Sequence, residues 1–395
     1  MSEQHPSGPH PGPVPRPDPR PDPRALSLSL PGPGQPVPGG PVGPLPAVPP
    51  SGYPNRYPAP RPDPLPAPGT EYAQFLRTRR NRWWKGLVVI VLLMVGYLVV
   101  SFVTGLGAIG LDLATGRIDQ ESLLQGRVTI TPALLLSINL SAAIMIPLSM
   151  LLQWGFYGQP VRWIHSVRGH LRWDLLGRVA LIIVPIWVVY VALSIFVFPA
   201  PPSGAFTAES VALLAVVLLT TPLQAAGEEY GARGLITRAA GSWSADVRLS
   251  LVISTVVSAV IFTLAHGAAD FWLIAYYFLF GVSMSVVVWR TGGLEAAVLI
   301  HTVNNVFLFV VAIGSGQDLG AGLDRSAGTG GTFMLIPMLL LVIIAGVLWR
   351  WSDRNAVDRT YALVPAAPGN PEGAALPWTS VPSPPARVDQ PTIRE

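Results

Sequence analysis

The chain has 395 residues, half of them hydrophobic and only 12% charged, with a mean hydropathy of +0.46. A soluble globular surface needs more charge than this, so the composition excludes an ordinary soluble domain and points to an all-α, polytopic membrane protein. No cysteine is present, which removes disulfides, thiol nucleophiles and thiolate metal sites. The net charge of +4 sits mainly in loops, where it sets topology rather than nucleic-acid binding.

Residues 1–72 read as a Pro-rich tail, since 25 of the 42 prolines fall within the first 70 positions. Proline lacks an N–H and resists helix and sheet, so disorder or polyproline-like structure is expected. The tail has no apolar stretch of the kind a signal peptide needs. It is read as a solvated cytoplasmic tail, with docking to a proline-reading partner as the less favoured use. The collar "FLRTRRNRWWKG" follows at 75–86, its Arg77, Arg79, Arg80, Arg82 and Lys85 marking a cytoplasmic end and its Trp83 and Trp84 an interface.

The transmembrane domain is expected over 73–352. Eight spans are predicted, at about 86–108, 129–153, 179–199, 209–239, 249–267, 271–289, 294–313 and 333–351. The loop at 154–178 carries Arg162, Arg168, Arg172 and Arg178, so it shares a side with the collar, as two intervening spans require. Arg350, Arg354 and Arg359 put the C-terminus on that side too. The outer loops, around Asp112, Ala200 and Asp318, are poor in Arg and Lys. Residues 353–395 again read as a disordered Pro-rich tail.

Ionisable side chains inside spans are costly and are functional candidates by default. Those here are Glu228, Glu229, Arg233, His266, Glu295 and His301, with Asn304 and Asn305 beside the last histidine. In "EEYGAR", Glu229 and Arg233 are four apart and share a helix face, in the better order for an ion pair. Glu228 is rotated about 100° from Glu229 by helix geometry and is left over. A surplus carboxylate at that depth must be protonated, meet a cation, or hold water or metal. In "FTLAH" Phe262 sits one turn from His266, and in "HTVNN" His301 shares a face with Asn305. Taken singly, each is an ordinary ion pair at a helix end or a histidine bonded between helices. Together they supply a general base, a second proton-handling or ligating group, and donors for an oxyanion, the set that water-mediated amide hydrolysis needs.

EExxxR (Glu228, Glu229, Arg233), FxxxH (Phe262, His266) and HxxxN (His301, Asn305), in that order, resemble the CPBP or Abi family of intramembrane proteases. Its eukaryotic representative is the Ras-converting type II CAAX prenyl endopeptidase. The resemblance covers about 180–315 and implies an eight-helix core in which a glutamate activates water. Carried over by position, Glu228 is the base, His266 its partner, and His301 and Asn305 stabilise the oxyanion or help bind a metal. Glu229, Arg233 and Phe262 support the site. Glu228, His266 and His301 could ligate zinc or another divalent metal, and two proton-handling groups without a metal would also serve. Other intramembrane proteases fit worse, because HExxH, GxSG and GxGD are absent.

The resemblance implies a peptide or membrane-protein substrate in a lipid bilayer, cut near the cytoplasmic face. Composition suggests a high-GC bacterium and therefore a plasma-membrane protein with both termini cytoplasmic, where prenylated CAAX substrates are not expected. The other readings are a non-catalytic scaffold or bacteriocin-immunity-type protein, and a proton-coupled transporter; against the last, hydropathy shows no internal repeat. Topology sets His266 near the outer end of its span and Glu228 and His301 nearer the inner half. A long fourth span reaching Arg238 narrows that gap.

Overall fold

Each of the eight apolar runs folds into a helix long enough to cross a membrane. In the computed structural model, which describes residues 64–126, 129–197, 204–322 and 324–362, these are α1 (Trp83–Ala114), α2 (Pro132–Tyr157), α3 (Trp173–Val197), α4 (Ala208–Gly241), α5 (Val247–Ala265), α6 (Phe271–Thr291), α7 (Glu295–Gly314) and α8 (Thr332–Arg354). No strand forms among the described residues, only the isolated bridges Glu71–Thr360 and Ser166–Gly293. The chain is a multi-pass helical membrane protein. Large side chains such as Leu181, Phe196 and Leu219 stay exposed on outward faces, as suits helices solvated by lipid rather than water.

α4 is the central element. It packs on α2 and α7 and, through its inner end, on α5, while α6 joins α5, α7 and α8. Close approach of α2 and α4 depends on Gly227, where an added Cβ would lie 2.0 Å from the Ala142 carbonyl oxygen. Beyond Glu229 the helix widens into a π-helical stretch, Tyr230–Ile236, a distortion frequent at functional sites. It is held by hydroxyls: Ser258 Oγ donates to the Ala232 carbonyl at 3.0 Å and Thr237 Oγ1 donates to the same oxygen at 3.1 Å.

The collar end is closed by a polar layer. Arg172 grips Glu295 through Nε at 2.8 Å and Nη2 at 2.7 Å, with both side chains buried. Arg238 is fully buried without a carboxylate. It donates to Gln153 Oε1 at 2.5 Å and Gln159 Oε1 at 2.6 Å, and lies 5.2 Å from the ring centres of both Tyr72 and Phe75.

Three sequence-based boundaries move. The tail expected over 1–72 ends sooner, because Leu65 and Tyr72 are buried, with Tyr72 donating to the Ile164 carbonyl. The C-terminal tail likewise starts beyond 353: α8 runs to Arg354, and Tyr361 packs edge-on against Phe75 and Trp163. These aromatic contacts supply the burial that proline-rich flanks lack. The rest of both expected tails lies outside the described residues. The third span starts at Trp173 rather than 179, since Asp174 and Arg178 pair on the helix surface at 2.8 Å and make a charged first turn tolerable.

Gly227→Ala is expected to push α2 and α4 apart and cost about 1–3 kcal/mol of stability. A lowered melting temperature of the detergent-solubilised protein measures it, with Gly155→Ala, whose added Cβ meets nothing within 4 Å, as the neutral control.

Candidate active site

Glu228 and Glu229 stand on the last turn of α4 before the π-helical stretch, and helical rotation sends them to different surroundings. Glu229 is fully buried. Its Oε1 accepts from Arg233 Nη1 at 2.9 Å, and Arg233, also fully buried, donates through Nη2 to the Gly281 carbonyl at 3.3 Å. The guanidinium lies 4.5 Å from the Phe262 ring centre, so an aromatic face adds to the compensation of its charge. Phe262 stacks in turn on Phe280 at 5.6 Å.

His301 enters from α7. Its Nδ1 lies 2.8 Å from Glu229 Oε1, and its Nε2 lies 3.6 Å from Glu228 Oε2. A carboxylate on one ring nitrogen fixes the tautomer and the ring plane, leaving the other nitrogen for chemistry. Glu229 thus holds Arg233 and His301 together, and Nε2 is presented beside Glu228.

Glu228 faces a cavity of about 430 Å³, a size suited to a few residues of an extended peptide. Its Oε1 accepts from Gln224 Nε2 at 2.5 Å, while its buried Oε2 has no hydrogen-bond partner. Behind Gln224 runs a one-way series of amides. Asn305 Nδ2 donates to Gln224 Oε1 at 3.0 Å, Asn304 Nδ2 donates to Asn305 Oδ1 at 3.0 Å, and Tyr276 OH donates to Asn304 Oδ1 at 3.4 Å. Every donor points toward the carboxylate and the series pins one of its oxygens.

His266 follows the last residue of α5, where Gly267 at φ +62° turns the chain away. Its Nδ1 bonds the Phe262 carbonyl at 2.7 Å, and its ring stacks on Tyr277 at 4.0 Å and leans on Phe262 at 4.4 Å. This leaves Nε2 for the cavity, which His266 lines together with Glu228, His301, Asn304 and Asn305. Measured by helical rise from the turn joining α4 to α5, Glu228 stands about 20 Å up α4 and His266 about 29 Å up α5. The cavity spans the difference in depth that the sequence poses between them.

All seven sequence-predicted residues are therefore brought together, with Glu229 and Arg233 behind the wall and the other five on it. Among the described residues, no group of three His, Asp or Glu side chains is arranged to hold a metal ion. Glu228, His266 and His301 do not converge as a ready zinc site, and no step below runs through a metal. Gln224 and Tyr276 are additions. Gln224 had a signal, four residues before Glu228 on the same face; Tyr276 and the rim residue Arg325 had none.

Residues 210–307 match the family model described as type II CAAX prenyl endopeptidase, Rce1-like. This segment of the chain is similar to Rce1-like proteins. It holds every motif residue from Glu228 to Asn305, and it also takes in Gln224, so the amide series from Asn304 to Glu228 lies wholly within the Rce1-like part. The match spans roughly a quarter of the 395 residues. Comparison with curated proteins and with solved structures gives no match.

Arg233→Met should strand Glu229 as a buried charge and cost about 3–5 kcal/mol. Glu228→Gln, on the cavity wall, should leave stability nearly unchanged. Thermal denaturation of the two purified variants reads the contrast.

Proposed function

We propose that the chain is an intramembrane endopeptidase in which Glu228 activates water to hydrolyse a peptide bond of a membrane-associated peptide or protein. The observation that carries this is the unpartnered Oε2 of Glu228, buried at the cavity wall and 3.6 Å from His301 Nε2, with its other oxygen already engaged by Gln224. Such an oxygen has its lone pairs free to accept. The family match supports CAAX-type endopeptidase activity in general.

Glu228 Oε2 takes a proton from water, and the hydroxide oxygen attacks the scissile carbonyl carbon. Negative charge builds on the carbonyl oxygen, where the Nδ2 hydrogen that Asn305 does not spend on Gln224 can receive it. Collapse breaks the C–N bond, and the proton held by Glu228 passes to the leaving amine, directly or through His301 Nε2. His266 Nε2 orients the water from the far side of the cavity. Glu229 and Arg233 touch no substrate and act by fixing His301. We read the membrane as a bacterial plasma membrane with both termini cytoplasmic; the basic collar, the 162–178 arginines and Arg350 and Arg354 support that orientation.

The test is cleavage of candidate peptides by purified protein. Glu228→Gln should lower the rate by at least about 100-fold, the lower end of what a general base supplies, while folding normally. Gln224→Leu frees Oε1 and should slow cleavage by about 10-fold, chiefly in kcat, on the scale of one charge-assisted hydrogen bond. A chelator should leave the rate unchanged. No cleavage of any peptide by the wild type, with Glu228→Gln behaving like it in cells, would point to a scaffold.

A further inference from the structure

The cavity's exposed wall residues all lie toward one end of the bundle. They are Ile138 near the start of α2, Ala265 at the end of α5, Leu308 high on α7 and Asp324 in the loop before α8. Wall residues nearest the collar, Leu93 and Ile236, are buried. Below them Val89, Ile90, Tyr157, Leu235 and Ala239 form a closed apolar layer, and beneath that Arg238 fills the space between Gln153, Gln159, Tyr72 and Phe75. None of the collar-end loops contributes to the wall.

The open end has a built polar rim. Arg325 donates through Nη1 to the His266 carbonyl at 3.1 Å and through Nε to Tyr277 OH at 3.1 Å, and its own carbonyl accepts from the Ala269 amide at 2.8 Å. Asp270 caps α6 and accepts from the Gly328 amide at 3.0 Å. The loop before α8 is thus tied over His266 and lifts the entrance to the level of the aqueous loops, while the wall below, apart from the polar residues of the site, is aliphatic and aromatic.

Charge divides the two ends. The closed end bears Arg77, Arg79, Arg80, Arg82, Lys85, Arg162, Arg168, Arg178, Arg350 and Arg354. The open end bears Arg117 and Arg325 against Asp119, Glu121, Glu209, Asp318 and Asp324. A bias of this kind retains the basic end in the cytoplasm.

We propose that the cavity is entered from the extracytoplasmic side, so that its substrate is an apolar peptide or protein segment already exported to that face. This replaces the expectation of cleavage near the cytoplasmic face, and its statement about substrate rests on the endopeptidase reading. A substrate confined to the cytoplasm would have to pass the apolar layer and the Arg238 plug.

The cysteine-free chain makes the test direct, since an introduced cysteine is its sole thiol. Asp324→Cys marks the rim and Ala245→Cys the exposed turn at the collar end. In intact cells, a membrane-impermeant maleimide should label Asp324→Cys and spare Ala245→Cys until the membrane is permeabilised. Leu308→Cys, also exposed on the wall, keeps the test decisive should Asp324→Cys misfold. Labelling of Ala245→Cys from outside, or of rim and collar positions from the same side, overturns the proposal. Labelling needs no catalysis, so external access in a protein that cleaves nothing would sink the endopeptidase reading and leave the sidedness standing.

Discussion

Arg233 is a full positive charge sealed inside a membrane protein, and the arrangement around it follows from the need to neutralise it. A cation at the centre of a spanning helix costs about 2.5–3.5 kcal/mol even on insertion scales. Glu229 one turn away, the Gly281 carbonyl and the face of Phe262 meet that cost. Once Glu229 is committed there, its oxygen also sets the orientation of His301, and Phe262 is fixed under His266. A structural ion pair thereby dictates where both imidazoles stand. Glu228, which the pair does not need, is left to face the cavity.

Separation of duties between adjacent glutamates rests on helix geometry alone. Neighbours on a helix differ by about 100°, so one can face the protein interior and the other the cavity. The π-helical stretch that follows lets the chain pass the site without disturbing that division, because its loosened carbonyl is taken up by Ser258 and Thr237. In a membrane an unsatisfied backbone group is dear, and these two hydroxyls make the distortion tolerable.

The eight spans were legible because hydrophobic length is a property of contiguous sequence, and each predicted run has its helix. Glu229 with Arg233, Phe262 with His266, and His301 with Asn305 were legible because four-residue spacing is local. What escaped was everything set by packing between distant segments. The second bond of Glu229, to His301, joins α4 to α7. Arg325 reaches the rim from a loop that no periodicity marks. The boundary at 72 failed because Leu65 and Tyr72 are buried in the same cluster as Trp163 and Tyr361, neighbours that composition does not reveal. The depth of His266 relative to Glu228 is a relation between α4 and α5 that spans read one at a time do not give. α4 is far longer than a bilayer requires, and a cavity rather than direct contact relates the two residues.

The pairing of Glu71 with Thr360 joins the two ends of the described chain. Amides of Gly69 and Tyr361 complete the ribbon, each at 2.8 Å, and Phe75, Trp163 and Tyr361 pack beside it. The consequence is mechanical. A pull applied to either proline-rich end, as by a machine extracting the protein for degradation, loads this clasp before it loads any membrane helix. Its resistance, rather than the burial of the nearest span, would set the force at which extraction begins from either terminus.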